Sequence, residues 1–244
     1  MTTTRAIVIA TAVRPETRAI LAALEAPARV DAGRIACWEA RIGTQPFLIQ
    51  QVGVGPTRAA GALRTLTMPY RLVVSAGFAG ALVAGARPGD LVLPAAVVSD
   101  AGRYAVPSEL RATVESALSP AERARALTGA LHSSPVVVDT PAAKRALAAR
   151  HGAVAVDMES AALAEVAVAH GAAALALRVV LDPLDLSLAG LPPDLDSSWT
   201  ARLRLLGRPA AWPGMIAVAR HLGVATAALT RAFTSALPAL ANPR

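Results

Sequence analysis

Cysteine is nearly missing. The chain of 244 residues contains one, Cys37, so neither an intrachain disulfide framework nor a cysteine-based zinc site can form. Without disulfides, the cytosol is the expected compartment. Aromatic residues make up 3% of the chain, too few for the stacking platforms that single-stranded nucleic acid requires. The formal net charge is +7, but the arginines that carry it are scattered and no block of like charge forms. Nucleic acid is therefore not an expected partner. Dispersed cations suit a phosphate-bearing substrate or anionic lipid headgroups better. No uninterrupted apolar run is long enough to span a bilayer, so no transmembrane helix is expected. The N-terminus lacks the apolar stretch and small-residue cleavage site of a secretory leader.

What is abundant is small and apolar. Hydrophobic residues account for 54% of the chain, chiefly Ala and Val, enough for a substantial core. Residues 5–13 read as a fully buried strand of the parallel-sheet kind. Pro15 then opens a helix with Glu16 in its first turn, running to about Glu25. Strands are expected at 34–42, 46–54, 71–78, 91–99, 134–138, 153–156 and 173–181. Helices are expected at 57–67, 107–130, 140–150 and 158–170, with Thr140 as an N-cap and Gly171 as a C-terminal stop. This alternation predicts a three-layer α/β/α sandwich around a mixed, largely parallel sheet. The whole chain reads as a single domain, 183–244 being a helical extension of it. That tail begins with a loop rich in Pro and Asp and continues as two helices over 199–236, interrupted near Pro209 and Pro213.

Ligands of open α/β sheets bind where strands end and loops diverge. Glu16, the Gly53–Gly55 turn, the Gly77–Gly80 loop, Glu159 and Asp182 all stand at such ends. Each also has a purely structural reading. Glu16 and Glu159 are acidic residues near helix starts, Asp182 belongs to an Asp-Pro turn, and the glycines shape tight turns. Other site classes fail. Gly53-Val54-Gly55 lacks the third glycine of a dinucleotide fingerprint, and no phosphate-cradling GxxxxGK[ST] segment or G-x-S-x-G elbow occurs. His132, His151, His170 and His221 show no metal-ligand spacing and are expected on the surface or in loops.

Taken together, four segments resemble the nucleoside phosphorylase and nucleosidase superfamily: IVIATAVRPE (7–16), QVGVGP (51–56), VVSAGFAGAL with PGDLVLP (73–94), and AVDMESAALAEVA with LALRVVLD (155–182). The motif Val156-Asp157-Met158-Glu159-Ser160 followed by Arg178 to Asp182 carries most of the likeness. The whole chain is most similar to the hopanoid-associated branch, through AKRALAARHGAVAVDMES (143–160), the Pro-Pro loop after Asp182 and the tail segment LLGRPAAWPGMIAVAR.

The resemblance implies an enzyme that cleaves the N-glycosidic bond of a purine nucleoside. It assigns catalytic roles to Asp182, as general acid toward the leaving base, and to Glu16, as the group that activates water. Glu159 would grip the ribose hydroxyls, Met158 would pack on the sugar, and Arg178 would lie near the sugar or phosphate. Val137 and Val138, in a segment starting at Val136, would close the adenine pocket. Phe78 stands where many relatives carry Ser or Thr that contacts phosphate or ribose, and Leu181 stands where many carry Ser. The chemistry needs such residues, because an oxocarbenium-like sugar calls for nearby anions and a purine leaves better once protonated.

No metal or organic cofactor is expected. Inorganic phosphate is the co-substrate if Arg14, Arg18 and Arg178 assemble a phosphate site, and Glu16 favours water instead. The expected substrate is adenosylhopane, a lipid-linked adenine nucleoside. Peripheral membrane contact at the inner face and a homo-oligomer go with that expectation. The alternatives are a methylthioadenosine/S-adenosylhomocysteine or futalosine nucleosidase, and a non-catalytic nucleoside- or lipid-binding protein on the same fold.

Overall fold

Strand β1 (Ala6–Thr11) shows how the sheet is built. All six residues are buried because both of its faces are covered. Ile7 and Ile9 enter one apolar cluster, while Ala6, Val8 and Ala10 enter another. Such a period-two split marks a central strand between two helical layers. The structure, a computed structural model, describes residues 4–33, 35–188 and 212–242.

The layers follow from the apolar stripes of the helices. On one face lie α1 (Arg14–Ala22), α3 (Ser108–Ala117) and the last helix, α7 (Trp212–Ala241). Helix α7 buries Ala225, Ala228, Leu229, Ala232, Phe233, Ala236 and Leu237 at spacings of three and four. On the other face α2 (Pro56–Arg64) packs with α6 (Ser160–Ala169) through Ala59, Leu63, Leu163 and Val166. Short α4 (Pro120–Arg125) precedes β9 (Ala130–Ser133) and lies against β6 (Leu91–Val92), and α5 (Pro141–His151) lies beside β10 (Ala153–Asp157).

The strands run in the order β2 (Ala28–Ala32), β3 (Ile35–Ile42), β4 (Gln45–Gln51), β1, β5 (Tyr70–Ala81), β10 (Ala153–Asp157), β9 (Ala130–Ser133), β7 (Ala96–Ser99), β8 (Gly102–Ala105). Strand β11 (Ala173–Asp182) pairs with β5 and with β6 (Leu91–Val92). Pairings at the centre (β4 with β1, β1 with β5, β5 with β11) are parallel, and the outer hairpins β2–β3 and β7–β8 are antiparallel. The predicted α/β/α sandwich is therefore the observed architecture.

Several local expectations are corrected. Segment 107–130 is not one helix. Leu118 is extended, the Ser119 hydroxyl accepts the Glu122 N–H, and Pro120 opens α4, so a capping box restarts the chain inside the expected helix. The strand expected at 134–138 lies earlier, at β9. Pro135 has no N–H to donate, and the Ser134 hydroxyl bonds both the carbonyl and the N–H of Val136, which turns the chain instead. The run 91–99 divides at Pro94 into β6 and β7. Strands β2 and β8 were not anticipated. His132 is neither superficial nor in a loop. It is buried in β9, its ring 4.3 Å from that of His151.

In the tail, α7 starts at Trp212 with Pro213 in its first turn, where proline is tolerated, and runs to Ala241 rather than to 236; the helix expected before Pro213 lies outside the described residues. Residues Ile216–Ala241 are long and apolar enough by length and composition to cross a membrane, and half of the apolar window within them is buried inside the fold, as in a core helix. The Pro-Pro pair, Trp199 and Pro209 lie outside the described residues.

Candidate active site

Glu16 is placed by the turn that joins β1 to α1. As the third helical residue it bends back, and its Oε2 accepts the amides of Ala12 (2.7 Å) and Val13 (3.0 Å). Its Oε1 accepts the Phe78 amide from β5 at 2.7 Å. Burial raises its pKa despite the neighbouring Arg178 charge and these amide donors. The Phe78 side chain is partly buried and packs against the core.

Arg178 is the centre of a buried polar network. It projects from β11, opposite Gly77 of β5, and its side chain is among the largest fully buried ones. Its Nη2 lies 2.6 Å from Asp157 Oδ2 and 3.6 Å from Glu159 Oε2. The same nitrogen donates to the hydroxyls of Ser75 (2.6 Å) and Ser160 (3.2 Å). Ser160 in turn donates from Oγ to Asp157 at 2.5 Å, and Ser133 donates to the other Asp157 oxygen. Burial works against the Arg178 charge, and Asp157, Glu159 and Glu16 more than offset it, so its pKa stands above the ordinary value.

Glu159 is the N-cap residue of α6 rather than a first-turn residue. Its Oε1 accepts the Gly55 amide at 2.9 Å, which ties it to the glycine turn after β4. Burial is the main cause that pushes its pKa up to about 7, with Asp157 and Glu16 adding to it and Arg178 opposing. Met158 beside it is half-buried.

Asp182 ends β11. A shift in register after Val180 sets it opposite Gly80, where an added Cβ would come within 2.8 Å of Asp182 Oδ2. Lys144 of α5 reaches Asp182 Oδ2 at 2.7 Å and is itself fully buried. Burial raises the Asp182 pKa, with Lys144 pulling the other way. Val138 leans on the small cluster of Leu82, Ala153 and Val156, while Val136 and Val137 are exposed.

The structure thus brings Glu16, Glu159 and Arg178 together and sets Asp182 at the end of the Arg178 strand. Arg14 and Arg18 are exposed on α1 and Arg178 is buried among carboxylates, so the three do not share one environment. Sequence reasoning missed Asp157, Ser75, Ser133 and Ser160, and it missed Lys144. Asp157 was inside the quoted motif. Lys144 carried a plainer signal, as the only lysine in the sequence. Among the described residues, no group of His, Cys, Asp and Glu is arranged to hold a metal ion.

Residues 4–202 match the phosphorylase superfamily model, and the chain belongs to that superfamily. No curated protein matches it. Among solved structures, it is similar to 5'-methylthioadenosine/S-adenosylhomocysteine nucleosidase from Neisseria meningitidis in complex with methylthio-immucillin-A, at 18% identity and a TM-score of 0.76, covering 96% of this chain and 99% of that one. A Helicobacter pylori nucleosidase variant holding 5'-methylthioadenosine in its active site is similar at 17% identity and a TM-score of 0.76, covering 96% and 98% of the two chains. Futalosine hydrolase of Helicobacter pylori is similar at 16% identity and a TM-score of 0.76, covering 96% and 97%. At these identities the likeness is one of fold.

Proposed function

We propose that this protein hydrolyses the N-glycosidic bond of an adenine nucleoside. The observation that carries the reading is the charge balance around Arg178. One buried guanidinium faces three carboxylates, Glu16, Asp157 and Glu159. Such an environment favours a sugar that becomes cationic as its base departs, and it disfavours an incoming phosphate dianion. In this reading Glu159 accepts hydrogen bonds from the ribose diol, and Met158 packs on the sugar. Glu16 orients water and takes its proton, and Asp182 gives a proton to the departing purine. Val137 and Val138 border the base.

Within that class, the substrate is proposed to be lipid-linked, as in adenosylhopane, with the enzyme a homo-oligomer working at the cytoplasmic membrane face. The sequence resemblance supports this, as do the exposed Ile216, Val224 and Arg220 along α7. A methylthioadenosine/S-adenosylhomocysteine or futalosine nucleosidase is the second reading, favoured by the names of the similar solved structures. The presence of Glu16, Glu159 and Asp182 together speaks against a non-catalytic binder, since burial works against the charge of each of the three carboxylates.

The test is incubation with adenosylhopane and with methylthioadenosine, each with and without phosphate, following adenine and the sugar product by mass. Free adenine and a free sugar, independent of phosphate, are expected. A sugar phosphate formed only with phosphate would replace hydrolysis by phosphorolysis. Absence of adenine from every substrate would reject the enzymatic reading.

A further inference from the structure

Lysine occurs once in this chain, and every other strongly basic side chain is arginine. That one lysine is fully buried on α5 and makes three contacts. Its Nζ lies 2.7 Å from Asp182 Oδ2, and it donates to the carbonyls of Pro183 at 2.8 Å and Leu186 at 3.2 Å. An ammonium has three hydrogens, so the set uses them all. An arginine would supply charge there too. It would also be planar, larger and unable to release a proton.

We propose that Lys144 is the positioning residue for Asp182 and the source of the proton that Asp182 delivers. The proposal rests on the reading of Asp182 as the acid of glycosidic cleavage. As the C–N bond breaks, its electron pair moves into the purine. A proton passes from the Lys144 ammonium through the Asp182 carboxylate to the purine, which leaves the carboxylate beside a neutral amine. Water supplies hydroxide to the sugar carbon and its remaining proton to Glu16. Release of that proton to solvent and uptake of one by Lys144 restore the starting state. Because the same ammonium holds the carbonyls of Pro183 and Leu186, it also fixes the chain leaving β11, and with it the orientation of the carboxylate.

Among the described residues, the charged and titratable groups around the pair are His221, Arg145 and Asp185. His221 of α7 acts electrostatically on Asp182. Arg145 and Asp185 form an ion pair beside it whose side chains are largely exposed and screened. Neither group touches Asp182 as Lys144 does.

The test compares pH profiles of kcat for wild type, Lys144→Met and Lys144→Arg, with Asp182→Asn as control. In wild type the Lys144 ammonium supplies the proton that Asp182 passes on, so turnover is expected to persist to higher pH than in the variants. In Lys144→Met only the Asp182 proton remains, so the basic limb moves to lower pH. In Lys144→Arg the carboxylate is held ionised beside a cation that gives up no proton, so the limb moves lower still and turnover falls at least ~10²-fold at neutral pH. A device that only positions predicts the opposite order, with Arg closer to wild type than Met. That order, or a folded Lys144→Met with the wild-type profile, overturns the proposal. Near-wild-type turnover in Asp182→Asn overturns the acid reading instead, which keeps the two failures distinct. If the Lys144 variants do not fold, the single lysine permits a direct measurement. The Nζ resonance of 15N-lysine-labelled wild type is expected to shift in Asp182→Asn, and an unchanged resonance refutes the coupling.

Discussion

Gly77 lies directly against Glu16. A methyl group at position 77 would stand 2.2 Å from Glu16 Oε1 and 2.7 Å from Arg178 Nη1. Neither neighbour can yield, because Glu16 is held by three amides and Arg178 by Asp157, Ser75 and Ser160. Gly77→Ala is therefore expected to displace the carboxylate proposed to handle water. Its kcat/KM should fall by ~10² or more, with a loss in thermal midpoint measured alongside. Wild-type kinetics in this variant would show that Glu16 has no part in catalysis.

Asp157 is expected to matter to the fold first. It is the nearest anion to a fully buried guanidinium, and removing one partner of such a pair costs about 3–5 kcal/mol. Asp157→Ala should lose about that much in urea unfolding at neutral pH. A loss near zero would mean that Glu159 and Glu16 suffice to balance Arg178.

Asp182→Asn should behave in the other way. The amide keeps the shape of the carboxylate but is no acid, so turnover is expected to drop at least ~10²-fold with a smaller effect on stability. Stopped assays of adenine release, set beside thermal denaturation, separate the two quantities.

Glu159 gives a prediction in pH. Its folded pKa is about 7 against an ordinary 4.5, so the folded state binds its proton more tightly than the unfolded chain does. Stability then falls as pH rises from about 4.5 through about 7, and this part of the slope should vanish in Glu159→Gln. The same substitution should lower kcat/KM more than it raises KM if the proposed diol contact strengthens in the transition state. A wild-type slope retained in Glu159→Gln would assign the effect to Glu16 or Asp182.

The parts of this protein that were legible in its sequence are those written locally. The run 5–13 shows its burial by its own composition, and Thr140, Pro141 and Gly152 mark both ends of α5. Glu16, Glu159, Arg178 and Asp182 stand within short motifs. What was not legible depends on segments meeting in space. Lys144 looks like a helix-surface residue until the chain after β11 crosses above it. Residues 134–138 have strong strand propensity, yet β9 forms one step earlier, where β7 and β10 offer parallel partners on both sides. The break at Ser119-Pro120 was local and readable, and it was overridden by apolar spacing that continued across it.

Strand β5 has a consequence of its own. Ser75 meets Arg178, Gly77 faces Glu16, the Phe78 amide holds Glu16, and Gly80 lies against Asp182. A single rod of backbone thus holds its distance both to the carboxylate proposed to handle water and to the one proposed to protonate the base. Inserting or deleting one residue there would misalign both at once, since alternate residues would exchange faces. Substitutions that alter substrate preference are therefore expected to spare this rod and to fall on segments it does not gauge, such as the turn at Val136 to Val138, where Val136 and Val137 are exposed.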